Sequence, residues 1–545
     1  MTAWFATLRD IFRDRPWGTA LVLLLVGYGS TLLFDAWLSD DAYITFRVVD
    51  NMIHGFGPVY NVGERVQAYT NPLMMLVMSA FSSVTREVYF TALSVSIAAS
   101  FSAVAILALK VARSRVTAVA ALVVLVFSTS FVSYSTSGLE NCLIFLLAAL
   151  FFWVFFSADK YSARSLLILT ALFALSLVNR MDTALLLAPA LALAYWRNDS
   201  LSWFRMLGVL IAGMLPFIAW EAFAVAYYGF PFPNTAYAKL STGIPRSEYL
   251  VRAFTYYKMS FWQDPMVLAG IFAGAGAVLW AWRVRTSVPL IGVVLYLIYI
   301  VNIGGDFMRG RMFTAPLFVT MLLLVAITPQ EWSARRVEPV SLVIGALGLL
   351  LVANLGGLFY EGMSWNTHNP YGVLDDKRLY YQSTNLPLNV YLRPLEQSQR
   401  VQEGIAYKNA GESPVVNPGI GLRGYYAGPK IHIVDALALS DALLARLPSL
   451  DNPAWRIGHM WRYVPDGYLD TIQTGRNTIS DPGVAEYYDH LSTVIKGPLW
   501  TVERWREILA LNRGDYDDLI DTDYYRSEVQ PQYDFDTFEP IPQTD

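Results

Sequence analysis

The chain has 545 residues, of which 55% are hydrophobic and only 15% charged. A soluble protein carries roughly 25% charged residues, so this composition belongs to a polytopic membrane protein. The net charge of −4, with no basic tail, argues against nucleic acid as a partner. One cysteine, Cys142, excludes a disulfide framework or a thiolate metal site within one chain. Five scattered histidines show no HxxxH or HExxH spacing, which argues against a histidine-built zinc site.

In chain order, Arg9, Arg13 and Arg15 precede an apolar run too long for a signal peptide, so the first segment reads as an uncleaved helix. Apolar segments near 17–37, 88–109, 116–134, 139–157, 165–178, 183–197, 206–228, 265–282, 287–303, 312–328 and 340–358 predict about eleven transmembrane helices, some of marginal length for a ~30 Å hydrocarbon core. With the N-terminus inside, the short basic loops at Lys110–Arg115, Lys160–Arg164, Arg197–Arg205, Arg283–Arg285 and Arg335–Arg336 all fall inside, as the positive-inside rule requires. The stretch 71–86 is apolar but short, and a span there would invert everything downstream. It reads as a helix lying in the outer interface. After about residue 360 apolar runs shorten and Asp, Asn, Pro, Gly and Trp become frequent. The chain thus divides into a transmembrane domain, 1–359, and a soluble extracytoplasmic domain, 360–545, large enough for its own core. Lys430–Asp435 reads as a strand and Val502–Leu509 as an amphipathic helix, which predicts a mixed α/β domain. The tail from 527 is expected to be extended or loose. No internal repeat or low-complexity tract is present.

The polar clusters converge on the outer face. Asp40-Asp41 sit where the first helix emerges. A charge near the bilayer core costs at least ~2.5 kcal/mol, so a pair of them there points to function rather than to a plain helix-capping pair. One carboxylate would act as general base, while the other would orient an acceptor or hold a divalent cation such as Mg, Mn or Ca. Arg47 follows on the same stretch. Glu64, Arg65, Gln67, Tyr69 and Asn71 then offer donors and acceptors suited to hydroxyl-rich ligands. Glu140 follows a Ser-Thr-Ser-Gly cap at the outer end of a helix. Arg180 and Asp182 join two apolar helices and read either as an ion pair or as a phosphate contact. Asn234 and Lys239 open a long loop. Lys239, Arg246, Arg252 and Lys258 are basic on the side usually depleted of such residues, which fits a lipid phosphate. Asp306, Arg309 and Arg311 lie in a glycine-rich loop that lets backbone approach a ligand closely. Together these acids, arginines and aromatics suit chemistry on a lipid-anchored phosphate at the membrane surface.

The motifs DDAYITFRVVDN, GFGPVYNVGERVQAYTNP, SGLEN, NRMD, PNTAYAK and GGDFMRGR together resemble one family. It is that of the AftB-type arabinofuranosyltransferases, GT-C-fold enzymes that use a polyprenyl-phosphate sugar donor. The resemblance covers most of 35–315 and extends more weakly through IVDALALSDALLARLP and WRIGHMWRYVPDGY. Gln67-Ala68 departs from the Glu-Gly expected before the Tyr-Thr. The resemblance implies a donor such as decaprenyl-phospho-arabinofuranose and a glycan acceptor outside the cytoplasmic membrane. It puts Asp40 and Asp41 at the reaction centre. Arg47, Glu64, Arg65, Arg180, Lys239, Arg309 and Arg311 are the expected donor and phosphate contacts. Tyr69, Asn71, Glu140, Asp182, Asn234, Asp306, His459 and Arg462 are the expected acceptor contacts. Relatives acting on pilin or other surface polymers are an alternative. So are a lipid-linked-sugar transporter, for which Glu221 is the main deeper charge, and an assembly partner binding glycan through Trp455, His459, Trp461 and Arg462.

Overall fold

The computed structural model describes residues 15–157, 160–240, 242–360, 373–452 and 455–532. Each of the eleven expected apolar segments carries a helix. Four are long and apolar enough to cross a membrane: Pro16–Phe34, Tyr89–Val111, Trp203–Tyr228 and Val284–Asn302. The number becomes five if the pair Arg246–Gln263 and Pro265–Ala281, bent by 100°, forms one span. The others coincide with shorter apolar helices, and the chain is a multi-pass helical membrane protein.

Local chemistry sets the breaks. The expected helix 116–134 divides at Ser128, whose hydroxyl accepts from the Phe131 N–H and starts a second helix, Thr129–Tyr134. The stretch expected at the interface forms the helix Pro72–Thr85, about 21 Å long at 1.5 Å per residue and short of a full span. The Arg246–Gln263 arm of the bent pair exposes Leu250, Val251, Phe254, Phe261 and Trp262, and buries Ala253, Tyr256 and Ser260 on its opposite side.

The bundle core is aromatic and aliphatic. Phe131, Phe145 and Phe318 meet at ring-centroid distances of 4.7–5.7 Å. Two further cores join the segments 36–78 and 225–238 to the region after residue 373. In one, Tyr43 packs edge-on to Tyr425 at 5.5 Å. In the other, Val66 and Phe230 pack with Leu443, Leu491 and Val494.

The expected mixed α/β character of that region is corrected. Among the described residues its sheet is a parallel pair of two-residue strands, Val415–Val416 beside Ile433–Val434, and the rest is helix and loop. Pro414, Pro418, Gly419, Gly428 and Pro429 flank these strands and stop the ladder from growing. The amphipathic helix is present as Val502–Arg513. The tail expected to be loose from 527 stays docked as far as Gln532, whose side-chain amide pairs with both backbone groups of Val464. The part beyond 532 lies outside the described residues.

Candidate active site

The site grows from the first turn of the helix Asp40–Ile53. Ser39, at its N-cap, makes no side-chain cap bond. Its hydroxyl donates instead to Asp376 Oδ2 at 2.6 Å. Two acids in the first turn suit the positive end of the helix dipole. Adjacent residues on a helix point about 100° apart, so the two carboxylates diverge. Asp40 turns toward the C-terminal region, where Arg400 Nη1 donates to Oδ2 at 3.0 Å and the Leu422 N–H to Oδ1 at 3.0 Å. Asp41 turns into the cavity and makes no side-chain hydrogen bond or ion pair with a described residue.

That cavity encloses about 950 Å³, its open mouth included. Asp40, Asp41 and Asp376 supply acid to its walls, and Lys239, Arg400, Arg423, Arg456 and His459 supply base. Arg400 is paired with Asp40, and Arg423 with Glu403. Lys239 and Arg456 have no acid partner among the described residues. Burial, then the charge of Asp40, push the Asp41 carboxyl up to about 6, against the pull of Arg311 and Lys239. Burial, then Asp41, push Asp376 up to about 8. Two carboxyls in one cavity thus titrate apart, with Asp376 holding its proton at neutral pH. Burial and Arg456 push His459 well below the ordinary histidine range, so it is neutral there.

Beside the cavity, five helix ends meet in a charged cluster. Glu140 Oε1 accepts from Arg180 Nη1 at 2.7 Å and from Arg311 Nη2 at 2.8 Å, and Oε2 accepts from Asn71 at 3.1 Å. Arg180 also pairs with Asp182 at 2.6 Å, and Arg311 lies 3.7 Å from Asp306. Burial acts to raise the Glu140 carboxyl, but Arg311 and Arg180 outweigh it and hold it well below the usual carboxylate range.

Of the residues singled out from the sequence, Asp40, Asp41, Lys239 and His459 line the cavity, and Asn71, Glu140, Arg180, Asp182, Asp306 and Arg311 form the adjoining cluster. The others are drawn away from it. Arg47 is buried against the carbonyls of Tyr60, Gly424 and Ile431. Arg462 donates to those of Leu447, Met460 and Ala238. Asn234 donates to three carbonyls, of Ala438, Leu439 and Asp441. Glu64 pairs with Lys496 at 3.1 Å, and Arg65 donates to the Val494 carbonyl at 3.0 Å. Tyr69 is hydrogen-bonded to Tyr228 at 2.7 Å, and Arg309 is paired with Asp375 at 3.1 Å. For these residues a guanidinium or amide satisfies protein groups rather than facing a ligand.

The divalent-cation reading of Asp40-Asp41 gains no third protein ligand in the structure. Among the described residues no three His, Cys, Asp or Glu side chains are grouped to hold a metal ion. Both oxygens of Asp40 already accept hydrogen bonds.

Asp376, Arg400 and Arg456 were missed by sequence reasoning. The pair Asp375-Asp376 repeats the doubled acid of 40–41, which was the one available signal. Gly421 is a further constraint, because a Cβ there would collide with the Asp40 carbonyl and carboxylate. Gly421→Ala is expected to displace Asp40 and lower activity in protein that still folds, as an activity assay beside a melting curve would show.

Fold and site together define a multi-pass helical membrane protein with an acid- and cation-lined cavity where the loops between its apolar helices meet the C-terminal region. No family model matches the chain. It is 25% identical to the terminal beta-(1->2)-arabinofuranosyltransferase of Mycobacterium tuberculosis, over 86% of this chain and 87% of that protein. It is 26% identical to the protein of the same name from Corynebacterium glutamicum, over 64% of this chain and 56% of that one. These relatives bear out the family resemblance read from the motifs. Among solved structures, it has a distant likeness to ArnT from Cupriavidus metallidurans bound to undecaprenyl phosphate (TM-score 0.46, 11% identity, 76% of this chain and 85% of that one). A second is the Archaeoglobus fulgidus oligosaccharyltransferase in the apo form (TM-score 0.44, 11% identity, 78% and 65%).

Proposed function

We propose that the protein is a membrane glycosyltransferase of the GT-C kind. It transfers arabinofuranose from a polyprenyl-phosphate donor to an extracytoplasmic cell-wall glycan, the arabinan of arabinogalactan or lipoarabinomannan. The observation that carries this reading is Asp41, an unpaired carboxylate in a cavity that also holds two unpaired cations, in a chain related to arabinofuranosyltransferases. The short basic loops support a cytoplasmic-membrane location with the N-terminus inside and the cavity outside. The eleven apolar segments of 1–359 then form the membrane domain, and the described residues of 360–545 lie on its outer side.

In this mechanism Asp41 takes the proton of the acceptor hydroxyl. The acceptor oxygen bonds to the anomeric carbon as the bond from that carbon to the phosphate oxygen breaks. The electron pair leaves on the polyprenyl phosphate, whose charge Lys239 and Arg456 neutralise. Asp40, held by Arg400 and the Leu422 amide, sets the first turn of the helix and so the direction of Asp41. Asp376, protonated, keeps a further negative charge out of the cavity. Product of inverted configuration fits this single displacement. Product of retained configuration requires two displacements, with Asp41 as nucleophile.

The test is transfer by the purified protein from synthetic polyprenyl-phospho-arabinofuranose to an arabinan oligosaccharide. No transfer by well-folded wild type would overturn the donor and acceptor assignment. In the same assay Lys239→Ala and Arg456→Ala are expected to raise KM for the donor more than for the acceptor. Equal effects on both substrates would make these cations part of the scaffold.

A further inference from the structure

The helix Val502–Arg513 has one face built into the protein and one face exposed among the described residues. Its inner side is buried through Arg504 and Ile508. Arg504 donates to the Ala226 carbonyl at 2.8 Å and to the Tyr227 carbonyl at 2.9 Å. Asn512 donates to the Gly229 carbonyl at 2.8 Å. These carbonyls belong to the last turn and C-cap of the membrane helix Trp203–Tyr228, where a helix leaves its acceptors without intrahelical partners. The C-terminal region is thus fastened to the very end of a span.

The opposite face carries Val502, Trp505 and Leu509, at helical spacings of three and four. Val502 is 69% exposed and Leu509 51%; Trp500, just before the helix, is 76% exposed and stacks on Trp505 at 6.3 Å. Arg506 and Arg513 fall on this same face, by the 3.6-residue repeat. The acid Glu507 is turned away from it, accepting from Tyr516 and meeting His490, each at 2.9 Å. Phe232, in the turn that leaves the span, is exposed as well.

We infer that the face formed by Trp500, Val502, Trp505, Leu509, Arg506 and Arg513 lies in the headgroup and upper acyl region of the bilayer, at the Tyr228 end of the span Trp203–Tyr228. The apolar surface is continuous with a membrane interface that the span itself defines. Paired tryptophans suit that depth, since their rings are apolar and their N–H groups polar. Two arginines on the same face complement lipid phosphates while their stems cover apolar surface. The inference does not depend on the glycosyltransferase reading.

The test uses the full chain in lipid nanodiscs containing phosphatidylglycerol. Leu509→Cys is spin-labelled, and wild type treated alike is the blank, since its single thiol, Cys142, is buried. The label is expected to collide more with oxygen than with a water-soluble nickel chelate, and a label at exposed Asp470 to show the reverse ranking. A label at 509 that ranks like the one at 470 overturns the inference. Independently, Trp500→Phe/Trp505→Phe is expected to remove emission that lipids brominated near the headgroup quench. If the lost emission is instead quenched only by aqueous iodide, the face is water-exposed and the inference fails.

Discussion

Asp41→Asn is expected to cut transfer by about 10²- to 10⁴-fold, the usual contribution of a positioned general base. The protein should still fold, because Asp41 makes no hydrogen bond or ion pair that the amide would lose. Asp40→Asn should act differently. Its carboxylate is engaged by Arg400 and the Leu422 amide. The amide variant can accept from only one of these donors, so it should lose transfer by misplacing the helix turn and should lower the melting temperature as well. The pH profile separates the two roles. The base works only when ionised, and burial and Asp40 push Asp41 up to about 6. Wild-type activity should therefore rise with pH through about 6, whereas residual activity in Asp41→Asn should lack that limb. Equal activity of Asp41→Asn and wild type across this range would remove Asp41 from the chemistry.

The largest expected loss of stability comes from Glu140→Ala. Glu140 is 1% exposed and holds Arg180 and Arg311 on one oxygen. Removing it leaves two like charges facing each other in a buried site, and breaking a buried pair by deleting one partner costs about 3–5 kcal/mol. Glu140→Gln keeps the shape and one acceptor oxygen, so it should cost less. The ranking wild type, Gln, Ala would be read from unfolding in detergent. The sign of the pH dependence follows from the depressed Glu140 carboxyl. Its stabilisation is complete above the ordinary glutamate range and is lost only as pH falls well below it. Mild acid should therefore inactivate through Asp41 before it unfolds the protein. A Glu140→Ala protein as stable as wild type would show that the cluster contributes nothing net.

Much of the architecture was legible because membrane insertion acts on local sequence. Apolar runs long enough to be helical, and basic residues between them, appear without any knowledge of partners. The acid pair after the first helix was legible for the same reason, since charge against hydrocarbon is conspicuous. Arg180 and Asp182 are two residues apart, so their pairing was local too. What composition misjudged was the fate of single polar groups. Arg47 and Arg462 look like ligand contacts, yet each is buried and donates to backbone carbonyls of distant segments. The strand expected over 430–435 is present as Ile433–Val434 but stays two residues long, because a short apolar alternation does not say how far a neighbouring strand will extend it.

By itself, then, the sequence determined the multi-pass helical class, the helix positions, the family resemblance and the place of the acid pair. Only the tertiary structure decided which of the two acids in the cavity is paired, because Arg400 reaches Asp40 across 360 residues of chain. The same holds for Asp376 and Arg456, brought to the cavity from beyond the helix Pro339–Tyr360. Hydropathy and helix ends are properties of neighbouring residues, whereas the pairing of a charge depends on distant residues that packing brings within about 3 Å.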